Sequence, residues 1–247
     1  MNTRKVLLIL ACAGMLCFTH GANALLFSGS NGTLSASADF EILPGNFLQV
    51  TLTNTSTGDP AAPGDILSGL LFNLAGNPLL SRDSAVLGAG STVIHGPTPS
   101  TDPGGGVGGE WAYENSDPNF PSGVNESIYS AGYFAGTGHL FPGSDLQGPP
   151  SGSVDGIQYG ITTLNDAAGN DNGGIAGEGL IANSVVFTLD NFTGSLGDIS
   201  NVSFQYGTAL TETNIPGTPG VPDSGTTAML LGSALVGLGM LRRYLKR

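Results

Sequence analysis

The sequence predicts an all-β fold: an antiparallel, jelly-roll-like β-sandwich with long Gly/Pro-rich loops, flanked by an N-terminal signal helix and a C-terminal transmembrane helix. Four observations lead there. Among the 247 residues are 40 Gly and 15 Pro, which oppose helix interiors. Charged residues make up only 11%, too few to solvate the outer faces of a helical bundle. A hydrophobic fraction of 40% argues against charge-driven disorder. Between the two ends, apolar and polar residues alternate with the period of a half-buried strand.

At the N-terminus, Arg4 and Lys5 precede an apolar stretch over 6–18, and Ala22-Asn23-Ala24 follows as a small-residue cleavage site. This order is that of a secretory signal peptide over 1–24, cut after Ala24. The only two cysteines, Cys12 and Cys17, lie inside it. An exported domain without cysteine has no disulfide framework, no thiol chemistry and no Cys-ligated zinc.

The exported domain is expected over 25–214. Ala36, Ala38, Phe40 and Ile42 alternate with Ser35, Ser37, Asp39 and Glu41, and Leu48, Val50 and Leu52 alternate with Gln49, Thr51 and Thr53. These are two antiparallel strands around a Leu43-Pro44-Gly45-Asn46 turn. Further strands are expected over 66–74, 91–94, 157–164, 185–189 and 202–206. Val185-Val186-Phe187 is apolar on both faces, the pattern of a central strand covered by a second layer. Seven or more strands separated by Gly-, Asn- and Asp-rich turns favour a sandwich. From 96 to about 152 the alternation gives way to loops around Glu110-Trp111-Ala112-Tyr113, and loops this long inside a domain are often functional. Ile215-Pro216-Gly217-Thr218-Pro219-Gly220 reads as a short extended linker.

The last segment, 221–247, has three parts. Val221-Pro222-Asp223-Ser224-Gly225 leads into a charge-free stretch over 226–241, and Arg242, Arg243, Lys246 and Arg247 close the chain. Sixteen helical residues span about 24 Å, short of the ~30 Å hydrocarbon core. Snorkelling of the terminal basic side chains or local thinning covers the difference. The basic tail holds that end on the cytoplasmic side of the membrane. Pro222 keeps the backbone before it extended, so a protease can bind this strip as an open strand.

In order and spacing, this tripartite end resembles the PEP-CTERM class of bacterial sorting signals in its VPDSG variant, with Asp-Ser-Gly where Glu-Pro is usual. The resemblance implies recognition by an exosortase, a transpeptidase-like cysteine protease of the membrane that cuts near the signature. It further implies a Gram-negative, polysaccharide-producing bacterium. The phrases Thr51-Leu52-Thr53-Asn54-Thr55-Ser56, Gly109-Glu110-Trp111-Ala112-Tyr113 and Asn201-Val202-Ser203-Phe204-Gln205-Tyr206-Gly207-Thr208 resemble a family of exosortase-dependent surface proteins. That likeness implies a surface location and brings no known activity.

Charge sets further limits. Of the 7 basic residues only Arg82 lies between the two end segments, and of the 19 acidic ones only Asp223 lies outside the exported domain. A domain this acidic repels phosphate backbones, so nucleic acid is not a partner. For catalysis the domain offers His95 and His139, each in a Gly-rich loop, with no Gly-x-Ser-x-Gly elbow or His-Glu-x-x-His motif. No enzyme is expected. Asp166 and Asp171, in an Asn/Asp/Gly-rich loop, are candidate Ca²⁺ ligands; the alternative is that they form turns. Trp111 and Tyr113 are candidate stacking residues for extracellular polysaccharide; the alternative is that Trp111 fills the core. The reading is a non-enzymatic surface or matrix protein, anchored as a precursor and then released by an exosortase, without a resident cofactor. The second reading is a calcium-assisted carbohydrate-binding module.

Overall fold

In the computed structural model, residues 24–96, 98–134, 139–147, 156–166 and 174–220 are described. The expected signal helix before Ala24, the signature over 221–225 and the transmembrane helix over 226–241 lie outside the described residues. Among the described residues, no helix is long and apolar enough to cross a membrane.

The domain is all-β, as the composition requires, with 3-10 turns as its only helical elements among the described residues. One sheet has six strands in the order β14-β1-β2-β3-β11-β5. These are β1 (Ala24–Asn31), β2 (Leu34–Leu43), β3 (Phe47–Asn54), β5 (Ser81–Leu87), β11 (Ser184–Asp190) and β14 (Thr218–Pro219). The second sheet has eight. Its main path is β13-β12-β4-β9-β10-β6, and β8 pairs with β4 and β7 with β8. Here the strands are β4 (Leu67–Leu74), β6 (Thr92–Ile94), β7 (Ala112–Asn115), β8 (Glu126–Tyr129), β9 (Ile161–Thr162), β10 (Leu180–Ala182), β12 (Ile199–Tyr206) and β13 (Asn214–Pro216). Pairing is antiparallel except between β9 and β10.

The alternation read from the sequence becomes the pleat. Along β3 every second residue, from Leu48 to Asn54, is buried. The β2–β3 hairpin keeps Phe40 opposite Val50 and Ala38 opposite Leu52. Its turn needs left-handed backbone at two successive positions, and Gly45 (φ 95°) and Asn46 (φ 67°) provide it. The inner faces of the two sheets meet edge-to-face, as where the Phe40 and Phe72 ring centroids lie 5.4 Å apart. Asn54, itself buried, crosses the gap and donates its side-chain amide to the Ile161 carbonyl at 2.8 Å.

Four expectations change in detail. Val185 and Phe187 are buried but Val186 is only half-buried; a long strand that is covered on both faces is β4. Its outer side lies under Tyr129 and Phe134, which cluster with Leu71 and Ala112. The expected strand over 157–164 shortens to β9, because Gly156 (φ 56°) and Tyr159 (φ 55°) turn the preceding residues left-handed. The region expected as loops from 96 to 152 contains the β7–β8 ribbon, whose eight residues pair directly with one another. The segment 215–220, expected as an extended linker, is extended but bound into both sheets through β13 and β14.

Candidate functional site

The first and last strands of the described residues meet at one edge of the sandwich. β1 pairs along its whole length with β2, from Ala24 opposite Glu41 to Asn31 opposite Leu34. Its other edge receives β14, with Phe27 opposite Pro219 and Ser28 opposite Thr218. The Gly220 N–H donates to the Leu26 carbonyl at 2.7 Å, and the Thr218 hydroxyl donates to the Ser28 carbonyl at 3.1 Å. A few residues earlier, β13 lies on β12, with Phe204 opposite Ile215. Beside this seam runs an open groove of about 580 Å³ with Leu25, Phe27, Leu196, Ile199, Val202 and Pro216 among its walls. Leu26, nearly half exposed, stands at the same end. Of the expected signal-cleavage residues, Ala24 is the first residue of β1 and Ala22 lies outside the described residues. Val221, Pro222, Asp223, Ser224 and Gly225 lie outside them too, directly after Gly220.

Trp111 and Tyr113 present no stacking platform. Trp111 is 0% exposed and packs edge-to-face on Phe187 at 5.0 Å. Tyr113 is 4% exposed. The cause is local: a 3-10 turn over Gly108–Glu110 swings Trp111 between the sheets just before β7 begins. That turn packs against backbone that no side chain could accommodate. A Cβ on Gly108 would lie 2.0 Å from the Pro142 carbonyl oxygen, and one on Gly109 1.9 Å from that of Ser144.

Asp166 follows β9 and accepts the Thr162 hydroxyl at 2.6 Å; Asp171 lies outside the described residues. Among the described residues, no three His, Cys, Asp or Glu side chains are grouped to hold a metal ion. His95 follows β6 with left-handed backbone, φ 57°.

The β7–β8 ribbon carries a polar cluster that sequence reasoning missed. Glu126 is fully buried, and its carboxylate takes the Tyr113 hydroxyl at 2.5 Å and the Asn115 side-chain amide at 2.9 Å. Burial pushes its pKa up from 4.5 to about 7, although both hydrogen bonds oppose the shift. Burial and the neighbouring Glu126 push the Tyr113 phenol well above its ordinary range. On the other face of β7, Glu114 pairs with His139 Nδ1. Together they border a cleft of about 120 Å³ beside Leu79, Leu80 and Arg82. Glu110, also buried, accepts the backbone N–H groups of Leu146 and Gln147. The available signal was the run Tyr113-Glu114-Asn115, which faces Ile128, Ser127 and Glu126 in that order, two stretches that pair only in three dimensions.

Set against known proteins, residues 220–245 match the VPDSG-CTERM motif. The match begins at the residue where the described fold ends. No curated protein and no solved structure matches the chain. The match makes the chain similar to PEP-CTERM-type proteins that an exosortase sorts, and its motif points to a membrane-anchored precursor that becomes exported.

Proposed function

We propose that this chain is a non-enzymatic surface protein of the extracellular matrix, exported with a cleavable leader, held at the inner membrane by its C-terminal helix and released by an exosortase. The observation that carries this reading is the VPDSG-CTERM match over 220–245, directly after β14. The acidic, lysine-free composition of the exported domain supports it, because such a surface stays soluble without binding phosphate polymers. The chemistry-bearing side chains are engaged in holding the fold. Glu110 ties down the 144–147 backbone, Glu126 braces the β7–β8 ribbon, and Glu114 holds His139. The placement of Trp111 and Tyr113 in the core removes the support those two residues gave to a sugar-binding module.

The test is cellular. The protein is followed by fractionation in a polysaccharide-producing host with its exosortase intact and in the same host with the exosortase deleted. The reading expects surface material in the first and retention in the membrane fraction in the second. Equal surface yield in both hosts overturns it.

A further inference from the structure

The segment 214–220 is built into the fold in a way that bears on where the chain can be cut. Its first strand, β13, belongs to one sheet and its second, β14, to the other, so seven residues bridge the sandwich. The plug of this bridge is Ile215, 2% exposed within the core. Room for the crossing comes from Gly29 of β1. A Cβ there would lie 2.6 Å from the Pro216 carbonyl oxygen and 2.9 Å from Ile215 Cγ2. The backbone is then fixed at both ends of the crossing, by Gly217 N–H to the Val202 carbonyl at 2.8 Å and Gly220 N–H to the Leu26 carbonyl at 2.7 Å. Pro216 and Pro219 lack the donors with which a further strand would pair.

We infer that this segment is a strap whose closure fixes the N-terminal limit of the sorting cut. The inference rests on the sorting reading above for its biological meaning. Enzymes that bind peptides as added strands need backbone free of other partners, and backbone held in a sheet becomes free only through local opening. Gly220, the last described residue, is held by β1 and is also the first residue of the matched motif. The bonds before it are shut inside the sandwich and those after it belong to the signal. The strap thus confines cleavage to the signal and leaves the released domain whole. It also keeps Gly220 bonded to Leu26 in β1, next to the expected new N-terminus at Leu25.

The experiment uses the full chain in detergent-solubilised membranes and a brief native digestion with proteinase K, the core fragment being identified by intact mass. In the wild type the core is expected to keep every residue through Gly220. Gly220→Pro removes the N–H that bonds Leu26, and Gly29→Val drives the Pro216 carbonyl away. Each is expected to speed cleavage within 214–219 at least tenfold. Should Gly29→Val fail to fold, Gly220→Pro decides, with tryptophan fluorescence reporting that its core is intact. Wild-type cuts within 214–219 as fast as those beyond Gly220 overturn the inference, and so does unchanged protection in a folded Gly220→Pro variant. Proteinase K has no part in sorting, so this outcome stands apart from that of the exosortase deletion.

Discussion

A carboxylate buried as deeply as Glu126 makes stability depend on pH. Its pKa is raised from 4.5 to about 7, so the folded protein binds this proton more tightly than the unfolded chain does. The resulting stability is fully present below pH 4.5 and is lost as pH rises toward 7. Above that it stays lost, a difference of about 3 kcal/mol at most. Glu126→Gln keeps partners for Tyr113 and Asn115 without a charge. We expect it to melt near the wild type at pH 5 and clearly above it at pH 8; melting curves at the two pH values provide the check. Trp111 is a volume-filling residue. Trp111→Ala should cost roughly 3–5 kcal/mol in denaturant unfolding, and the wild-type indole should emit blue-shifted and resist soluble quenchers. A red-shifted, readily quenched indole would contradict its burial. Volume filling by Trp111 was legible in the sequence, since a single tryptophan among so many glycines is worth most in the core. Glu126 was not legible, because Asn125-Glu126-Ser127 has the composition of a turn and only the cross-strand partner Asn115 shows why it is buried.

At the level of elements, clean alternation marked strands wherever one face is buried and the other wet. That is why β2, β3 and β12 were readable, and why the turn expected over Leu43-Pro44-Gly45-Asn46 falls on its last three residues, with Leu43 closing β2 opposite Phe47. β1 opens with four apolar residues and continues with Ser28-Gly29-Ser30, so its period is hidden by the glycine the strap requires. β5 buries only Ala85, and β7 and β8 have four residues each, below the length at which a period declares itself. β13 and β14 carry prolines and read as linker because their pairing is entirely long-range. The same non-local logic governs the segment after β8. Glu110 accepts the N–H groups of Leu146 and Gln147, while Phe141 N–H reaches the Trp111 carbonyl and Tyr113 N–H the His139 carbonyl. Glu110→Ala leaves two donors of the 144–147 segment without their acceptor, at about 1–3 kcal/mol. Hydrogen exchange at Leu146 and Gln147 should accelerate in that variant while exchange in β2 and β3 does not. Unchanged protection at both amides would show that Glu110 does not hold the segment.

For the whole molecule, the registers assign the two ends of the sandwich different roles. Ala24 opposite Glu41, and Asp190 opposite Ser81, lie at the end from which the chain leaves. The turn joining β1 to β2 and the Val185–Leu87 pairing lie at the other. Ala24 and Gly220 thus leave the sandwich by the same end, opposite the β1–β2 turn. At the far end Asp65 accepts the Ala61 and Ala62 N–H groups and Asp102 that of Ser144, so these acidic side chains hold loop backbone. The central claim is that an exosortase sorts this chain by its C-terminal signal, and the intact mass of the surface form tests it most directly. The account predicts a species that begins at Leu25 and ends within 221–225, without the apolar helix and the basic tail. A surface species that still carries Arg242, Arg243, Lys246 and Arg247 would contradict it and leave a plain membrane anchor in its place.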